Sequence, residues 1–536
     1  MKKLRILMTT ALLLVTASVL TPVGAQQVGA QEVNETGFPI VDEPITLTLM
    51  GSRAAIQGEW QDLRLFTTLA EQTNINLQMM VIPDDGYIER KNLTFASGQL
   101  PDFFFGGRLT ASDEVTYGAQ GVLIPLEELI AAYAPNLQQV LDENPDIRSS
   151  ITAPDGHIYA LPKVTAGFGV YPKLWINQPW LDALSLEMPT TTEEFYEVLV
   201  AFRDGDPNGS GQADEISLTA SNLAQWPLGD IRPGMLAAFG FSVFYGQQLF
   251  DVSGDEARFI PTEEGFRAYL EYMNRLYSEG LLDPDTFTQT PQQIAAKGQE
   301  DRVGVFTAAG PFLVVGVERN TDFPQVMPLV SEVNSERIWP RDSNIIRGTF
   351  AITRTNPNPE ATMRWVDYFY SPEGALLQVF GVEGQDYSRT PEGGLERIIP
   401  EGMNPEEYRG GQVTPDAGTH LPQYRPYVEQ VTQIGIQETN PQNYYIGQQT
   451  AEQLEPYAVP TFPLLYFTEE EQSELNFLLT DIESFVEQAE ARFISGQQPL
   501  SEWDAYVSTL NRIGAERVQE IYQTAYDRWR MAGEGN

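Results

Sequence analysis

The chain has no cysteine, only two histidines (His157 and His420), and fewer than half as many basic as acidic side chains. Without cysteine, disulfides, thiolate metal sites, cysteine nucleophiles and lipid-modified cysteine anchors are excluded. Two histidines leave almost no material for a Ser-His-Asp triad or a multi-histidine metal site. Lys and Arg number 33 against 74 Asp and Glu, a formal charge of −41. A phosphate backbone needs a basic face, so nucleic acid is not an expected partner. Long apolar runs are scarce as well. Residues 6–20 form one that is too short for a typical membrane span, and no second run could cross a bilayer. What is present is bulk: hydrophobic residues make up 42% of 536, enough for large packed cores in more than one domain.

Lys2, Lys3 and Arg5 precede the apolar run, and Val23-Gly24-Ala25 follows it with the small residues that signal peptidase needs. The expectation is a signal peptide over 1–25, with a second cleavage pattern at Val28-Gly29-Ala30 and an uncleaved anchor as the other reading. Residues 26–37 read as a flexible leader. The protein is then exported, to a periplasm or the cell surface and extracellular space, and its acidity serves solubility there.

Alternation over 45–50 predicts a strand, and Trp60, Leu63, Phe66 and Leu69 recur at helical spacing. A second strand is expected over 75–82, a helix over 87–97, and a short buried strand at Phe103-Phe104-Phe105. Strands separated by helices imply βαβ units and a largely parallel sheet, with ligands beyond the carboxyl ends of the strands. That places 51–60 and 106–108 at a binding edge. Further along, 170–177 reads as a strand and 191–202 as an amphipathic helix opened by Thr191 with Glu193 and Glu194. Residues 371–423 look irregular. The tail is helical over 471–494 and 501–530, with Ser501 and Asp504 spaced as a capping box.

Five segments then carry a resemblance: NLTFASGQLPDFFFGG ending at Gly107, GHIYALPKV (156–164), LWINQPWLDAL (174–184), NPEATMRWVDYFYSPEGALLQVFGVEGQDYS (358–388) and FISGQQPLSEWDAYVSTLNRIG (493–514). In that order they resemble family 1 of the extracellular solute-binding proteins of bacterial ABC importers. The similarity is greatest to the carbohydrate-binding subgroup of alginate-binding proteins and LplA-type lipoproteins. Two departures stand out. The lipobox cysteine is missing, and Asn177-Gln178-Pro179 stands where the family commonly has a charged pair before Trp180-Leu181.

The resemblance implies an α/β, two-lobe periplasmic binding protein (type II) fold with a hinge between the lobes and a helical C-terminal part. It implies a first lobe of 38–163 plus 326–390 and a second of 164–325 plus 391–536. Crossings are expected near 161–164, near 324–327 and after Tyr387. An oligosaccharide ligand, an ABC transporter permease and a monomeric state are implied too, with no catalysis. Two rivals remain: a secreted polysaccharide-cleaving enzyme, which needs only two carboxylates, and a binder of peptides or another solute on the same fold.

One loop asks for a metal. Asp206, Asn208, Ser210 and Asp214 place side-chain oxygens at positions 1, 3, 5 and 9, with Gly211 at 6 permitting the bend and Gln212 offering its carbonyl. Ser217 occupies position 12, so Glu215 would have to replace the usual bidentate acid. The set Asp206, Asn208, Ser210, Gln212, Asp214 and Glu215 is similar to the calcium loop of the alginate-binding proteins, which implies structural Ca2+. The bland reading is a solvated Asn-Gly turn.

Sugar sites pair flat aromatics with polar side chains. Trp60, Trp226 and Trp339 are the loop-borne tryptophans, while Trp180, Trp365, Trp503 and Trp529 read as core. Similarity to maltodextrin-type binding proteins adds Phe312 in GPFLV, and Phe105 and Arg108 after PDFFF. Glu59, Asp102 and Arg347 are the polar candidates, chosen at strand ends or beside these aromatics. Packing is the alternative for every aromatic. Six arginines between 319 and 364 could read an acidic glycan, but ordinary surface pairing is preferred in so acidic a chain.

Overall fold

The computed structural model describes residues 32–165, 173–221, 226, 228–244, 249–416 and 420–534. The expected signal peptide and the start of the leader lie outside these residues. Along the chain the first strands are β1 (Ile45–Arg53), β2 (Ile75–Pro83), β3 (Phe103–Phe105), β4 (Leu161–Val164), β5 (Lys173–Ile176) and β6 (Ile216–Thr219). Then come β7 (Phe250–Ser253), β8 (Glu256–Phe259), β9 (Val303–Ala308), β10 (Trp339–Arg341) and β11 (Ile345–Ile352). The last are β12 (Tyr387–Arg389), β13 (Leu395–Arg397), β14 (Gln423–Tyr424) and β15 (Ala458–Pro460).

β1 forms where the alternation predicts it, with Leu47 and Leu49 fully inside. It pairs in parallel with β2 through the helix Arg64–Thr73, a βαβ unit closed by Asn74 in the left-handed region. β3 lacks alternation because both of its faces are covered. Phe103 and Phe105 pack on Trp365, and Phe104 packs on Phe95. The sheet order is β14-β4-β11-β3-β1-β2. β11 runs antiparallel to both of its neighbours, so the sheet is mixed. The other five strands run one way, and their carboxyl ends share one edge.

A second body is built on β5-β9-β6. Its core takes in the long helix Glu469–Ile494 through Leu475, Ile482 and Val486. Buried charges are tied inside it. Arg232 and Glu490 pair at 2.9 Å with both side chains fully enclosed, and Tyr269 and the Trp226 indole also donate to Glu490. The helix Thr192–Asp204 opens with the expected capping box from Thr191 to Glu194. Among the described residues no helix is long and apolar enough to cross a membrane.

The chain leaves the first sheet after β4, at the carboxyl edge, and enters the second body at β5. The other two crossings differ from the expected positions. Residues near 325 stay with the second body, where Val326 N donates to Leu174 O and Gln325 bridges Trp175. Arg337 reaches back to Thr190 O there, and β10 pairs with β15, so the return comes at 342–345. Nor does the chain leave after Tyr387. β14 pairs with β4, and Val428 packs with Ala375 and Leu376, which keeps 391–432 on the first lobe. The short polar hairpin β12–β13 and that two-residue strand carry too little apolar pattern to announce this from sequence.

Two local expectations also change. Residues 371–423 contain a regular helix, Pro372–Phe380. The 501–530 helix is two helices, Trp503–Ile513 and Ala515–Glu534, broken at Gly514, and the Ser501 cap does not form because Leu500–Glu502 is already a 3-10 turn.

Candidate functional site

The carboxyl edge of the first sheet gathers charge. The loop after β3 turns through Arg108 at φ 47°, which places its side chain at the rim, 3.3 Å from Asp84 at the end of β2. Backbone contacts hold that turn. Gly107 N donates to Thr349 O and Leu109 N to Gly348 O at 3.0 Å each, while Lys91 Nζ and Tyr87 Oη donate to the carbonyls of Arg108 and Gly107. Lys91 is itself buried and paired with Asp113.

Across this edge lies the segment 409–416, hung from the loop after β1. Gly58 N donates to Gly410 O at 3.0 Å and Gln57 Nε2 to Pro415 O at 2.8 Å. It delivers Asp416 over β4, where the carboxylate meets Lys163 at 3.5 Å, Arg425 at 3.1 Å and Arg409 at 3.6 Å. Burial pushes the Asp416 carboxyl up, but the three cations outweigh it and hold it below the usual carboxylate range. His420 sits beyond it. Burial lowers its imidazole, and nearby Lys163 and Arg108 lower it further, so the ring is neutral at pH 7 and offers one donor and one acceptor. On the other side of the first crossing, burial pulls the Lys173 ammonium down to about 8.

The nine sequence candidates scatter. Arg108 stands exposed at the rim, and Glu59 stands exposed nearby in an ion pair with Arg53. Trp60 and Phe105 are 0% exposed and pack on Phe66 and on each other, so their ring faces are covered. Trp339 is 3% exposed and lies over Gly234. Trp226 belongs to the Glu490 network, with the Arg232 guanidinium 4.9 Å from its ring. Asp102 precedes β3, at the opposite edge of the sheet, and accepts from Thr48 N at 2.6 Å and Thr48 Oγ1 at 2.9 Å. Arg347 donates to Ser150 O and Leu465 O and lies 4.2 Å over Tyr466, joining the first lobe to the C-terminal segment. Phe312 is half-buried beside Tyr445 in the second body. Trp60, Phe105, Trp226 and Trp339 are packing because a ring next to a strand end meets the covering side chains before it meets solvent. Lys163, Asp416 and His420 were missed: Lys163 lies in the short strand β4, the other two far along the chain, and no spacing links the three.

The 206–215 loop is ordered by its own polar groups. Gly211 N donates to both Asp206 carboxylate oxygens at 3.2 Å, and Ser210 N donates to Asn208 Oδ1 at 2.8 Å. Asn208 Nδ2 and Ser210 Oγ both donate to Asp214 Oδ1, and the Asn208 amide, first among these contacts, holds the Asp214 carboxyl down. Glu215 Oε1 is buried with no hydrogen-bond partner, an orphan acceptor that fits a hard cation. Among the described residues no three acidic or histidine side chains yet converge as a metal-binding group.

A family model described as bacterial extracellular solute-binding protein matches residues 52–376. The fructooligosaccharide ABC transporter substrate-binding protein FusA of Streptococcus pneumoniae is 27% identical over 515 residues, 92% of each chain. The structure of FusA with kestose superposes with a TM-score of 0.68 at 26% identity, over 91% of this chain and 99% of that one. An EF-hand mutant of FusA, in complex with fructo-nystose, superposes equally well. An ABC-transporter-associated solute-binding protein of Bifidobacterium longum infantis, described as HMO binding, shares the fold at a TM-score of 0.73 and 20% identity, over 91% and 99% of the two chains.

Proposed function

The chain belongs to the bacterial extracellular solute-binding proteins, and from that premise we propose that it captures an oligosaccharide between its lobes and delivers it to an ABC importer. The observation that carries this reading is the end-to-end similarity to FusA, which makes fructo-oligosaccharides the first substrate class to test. The carboxyl edge supplies the chemistry such a ligand needs. Arg108 and His420 offer donors to hydroxyls, Asp84 and Glu59 accept from them, and the Lys163–Asp416 pair holds the floor rigid. Phe312 is the second-lobe ring available for stacking. Closure about the crossings then surrounds the sugar and forms a two-lobe surface for the permease. The protein acts as a monomer and performs no chemistry.

Residues 206–215 hold a structural calcium ion in this reading, with Asp206, Asn208, Ser210, Asp214 and Glu215 as side-chain ligands and Gln212 supplying its carbonyl. The orphan Glu215 oxygen and the existence of an EF-hand in FusA support it. Residues 1–25 direct export.

The test is calorimetric titration of residues 26–536 with kestose, nystose and acidic oligogalacturonides in calcium. A fructo-oligosaccharide is expected to bind and be recovered intact. Arg108→Ala is expected to weaken it by about tenfold or more, the loss of one charged hydrogen bond. Cleavage products, or peptide binding without sugar binding, would overturn the proposal.

A further inference from the structure

A cavity of about 820 Å3 is lined by two of the crossing segments, through Val164, Thr165 and Arg341–Ile345, and by residues of both lobes beside them. Adjacent residues of a strand point to opposite faces. Lys163 meets Asp416, whereas Val164 lines this cavity together with Ile345 and Tyr424. One wall belongs to the first lobe, through Glu143, Asp146 and Ile147. The facing wall belongs to the second body, through Val252, Tyr526 and Trp529.

We propose that this cavity binds an organic cation with an apolar or aromatic body, and that its occupancy is coupled to lobe closure. The volume suits one small organic molecule. Tyr526 and Trp529 are stacked, with centroids 5.9 Å apart and planes 15° from parallel, and the Arg530 guanidinium lies 6.0 Å from the Tyr526 ring, so Trp529 and Tyr424 are the aromatic lining offered to a further cation. Its charged lining is three carboxylates, Glu143, Asp146 and Asp342, against one guanidinium, Arg341. Burial pushes the Asp342 carboxyl up, and the only counterweight is hydrogen bonding to Ser343. Asp146 is exposed at the mouth. That lining disfavours anions, and Glu143 and Asp146 leave negative charge beside apolar surface.

Coupling follows from the two walls. Trp529 and Ser150, both in the lining, join the walls at one point; a rotation about that contact changes the spacing of Glu143 and Asp146 from Val252, so an occupant that fits one arrangement shifts the population toward it. By linkage, the cation and the sugar then change each other's affinity by the same factor. This second half rests on the oligosaccharide reading above.

The test titrates benzyltrimethylammonium chloride into the protein, with sodium chloride of equal ionic strength as reference, and follows tryptophan fluorescence and heat. Saturable binding is expected in the wild type. Asp146→Asn and Trp529→Leu should each weaken it about tenfold, the loss of one charge or cation–π contact. The exposed Asp146→Asn site guards against misfolding, since the Trp529 indole also donates to Ser150 Oγ at 3.1 Å. No binding above the salt reference, unchanged affinity in both variants, or simple competition with bound sugar would each overturn the cavity site. A sugar affinity unmoved by saturating cation would overturn the coupling. If no sugar binds at all, the transport function fails, while the cation titration still decides the cavity.

Discussion

Glu114 is the carboxylate with the most to lose from being charged. It lies fully buried on the helix Ala111–Ala119, where its Oε2 accepts from Tyr466 Oη and its Oε1 has no partner. Burial pushes its carboxyl from 4.5 to about 7, against the pull of Arg347, the Tyr466 hydrogen bond and Lys91, while Asp113 adds to the rise. A raised folded value means that the stabilising contribution is complete below about 4.5 and is lost as pH rises through about 7. Glu114→Gln should therefore flatten the pH dependence and be the more stable form at pH 8, by about 1–3 kcal/mol, the cost of an uncompensated buried charge. Thermal unfolding at pH 5 and pH 8 checks this. A larger wild-type advantage at pH 8 would reverse the assignment. The buried pair in the second body behaves differently, because both charges are matched. Glu490→Gln removes the carboxylate paired with the buried Arg232 and should cost roughly 3–5 kcal/mol in denaturant unfolding.

Single elements carry the geometry of the candidate cleft, and Gly348 shows how. It sits in β11 at φ 66°, where an added Cβ would lie 2.0 Å from Leu109 O. Any side chain there must push the Arg108 turn outward. Gly348→Ala is expected to destabilise the protein by about 2 kcal/mol or more, and to weaken ligand binding along with it. Paired thermal and binding titrations check both effects. The strands and helices around this turn were legible in the sequence because each buries one stripe or one face: β1 alternates, and 64–73 repeats at helical spacing. The Thr191 cap was equally plain. The cleft wall was not. Asp416 arrives on the segment 409–416, which is fixed by contacts to Gln57, Gly58 and Gln378, and Gln57 and Gly58 lie far away in sequence. Trp60 and Trp339 misled for the converse reason. An aromatic beside a turn signal has the same sequence whether other side chains cover it or solvent does; here Phe66 and Phe105 cover Trp60, and the helix carrying Gly234 lies against Trp339.

At the scale of the whole molecule, the two bodies are joined by more than three crossing segments. The C-terminal helices are rooted in the second core, yet Trp529 bonds to Ser150, and Tyr466, on the segment leading into them, bonds to Glu114 and lies beneath Arg347. These contacts lie on the first lobe close to the point where β11 enters, and a hinge motion of the kind the family makes is expected to turn about them. Hinge closure about such a pivot changes overall dimensions while the inner contacts persist. Small-angle scattering of residues 26–536 should show the radius of gyration falling on addition of a binding oligosaccharide, toward the ~24 Å expected of one compact body of this length. Tyr466→Phe leaves the aromatic stack with Arg347 but removes the bond to Glu114. It should loosen the pivot, so that the ligand-free protein samples a broader range of lobe angles and binds more weakly by a few fold. An unchanged radius with bound sugar would mean that the lobes are already closed. In that case the affinity would depend on the Arg108 edge alone, and Tyr466→Phe would leave it untouched.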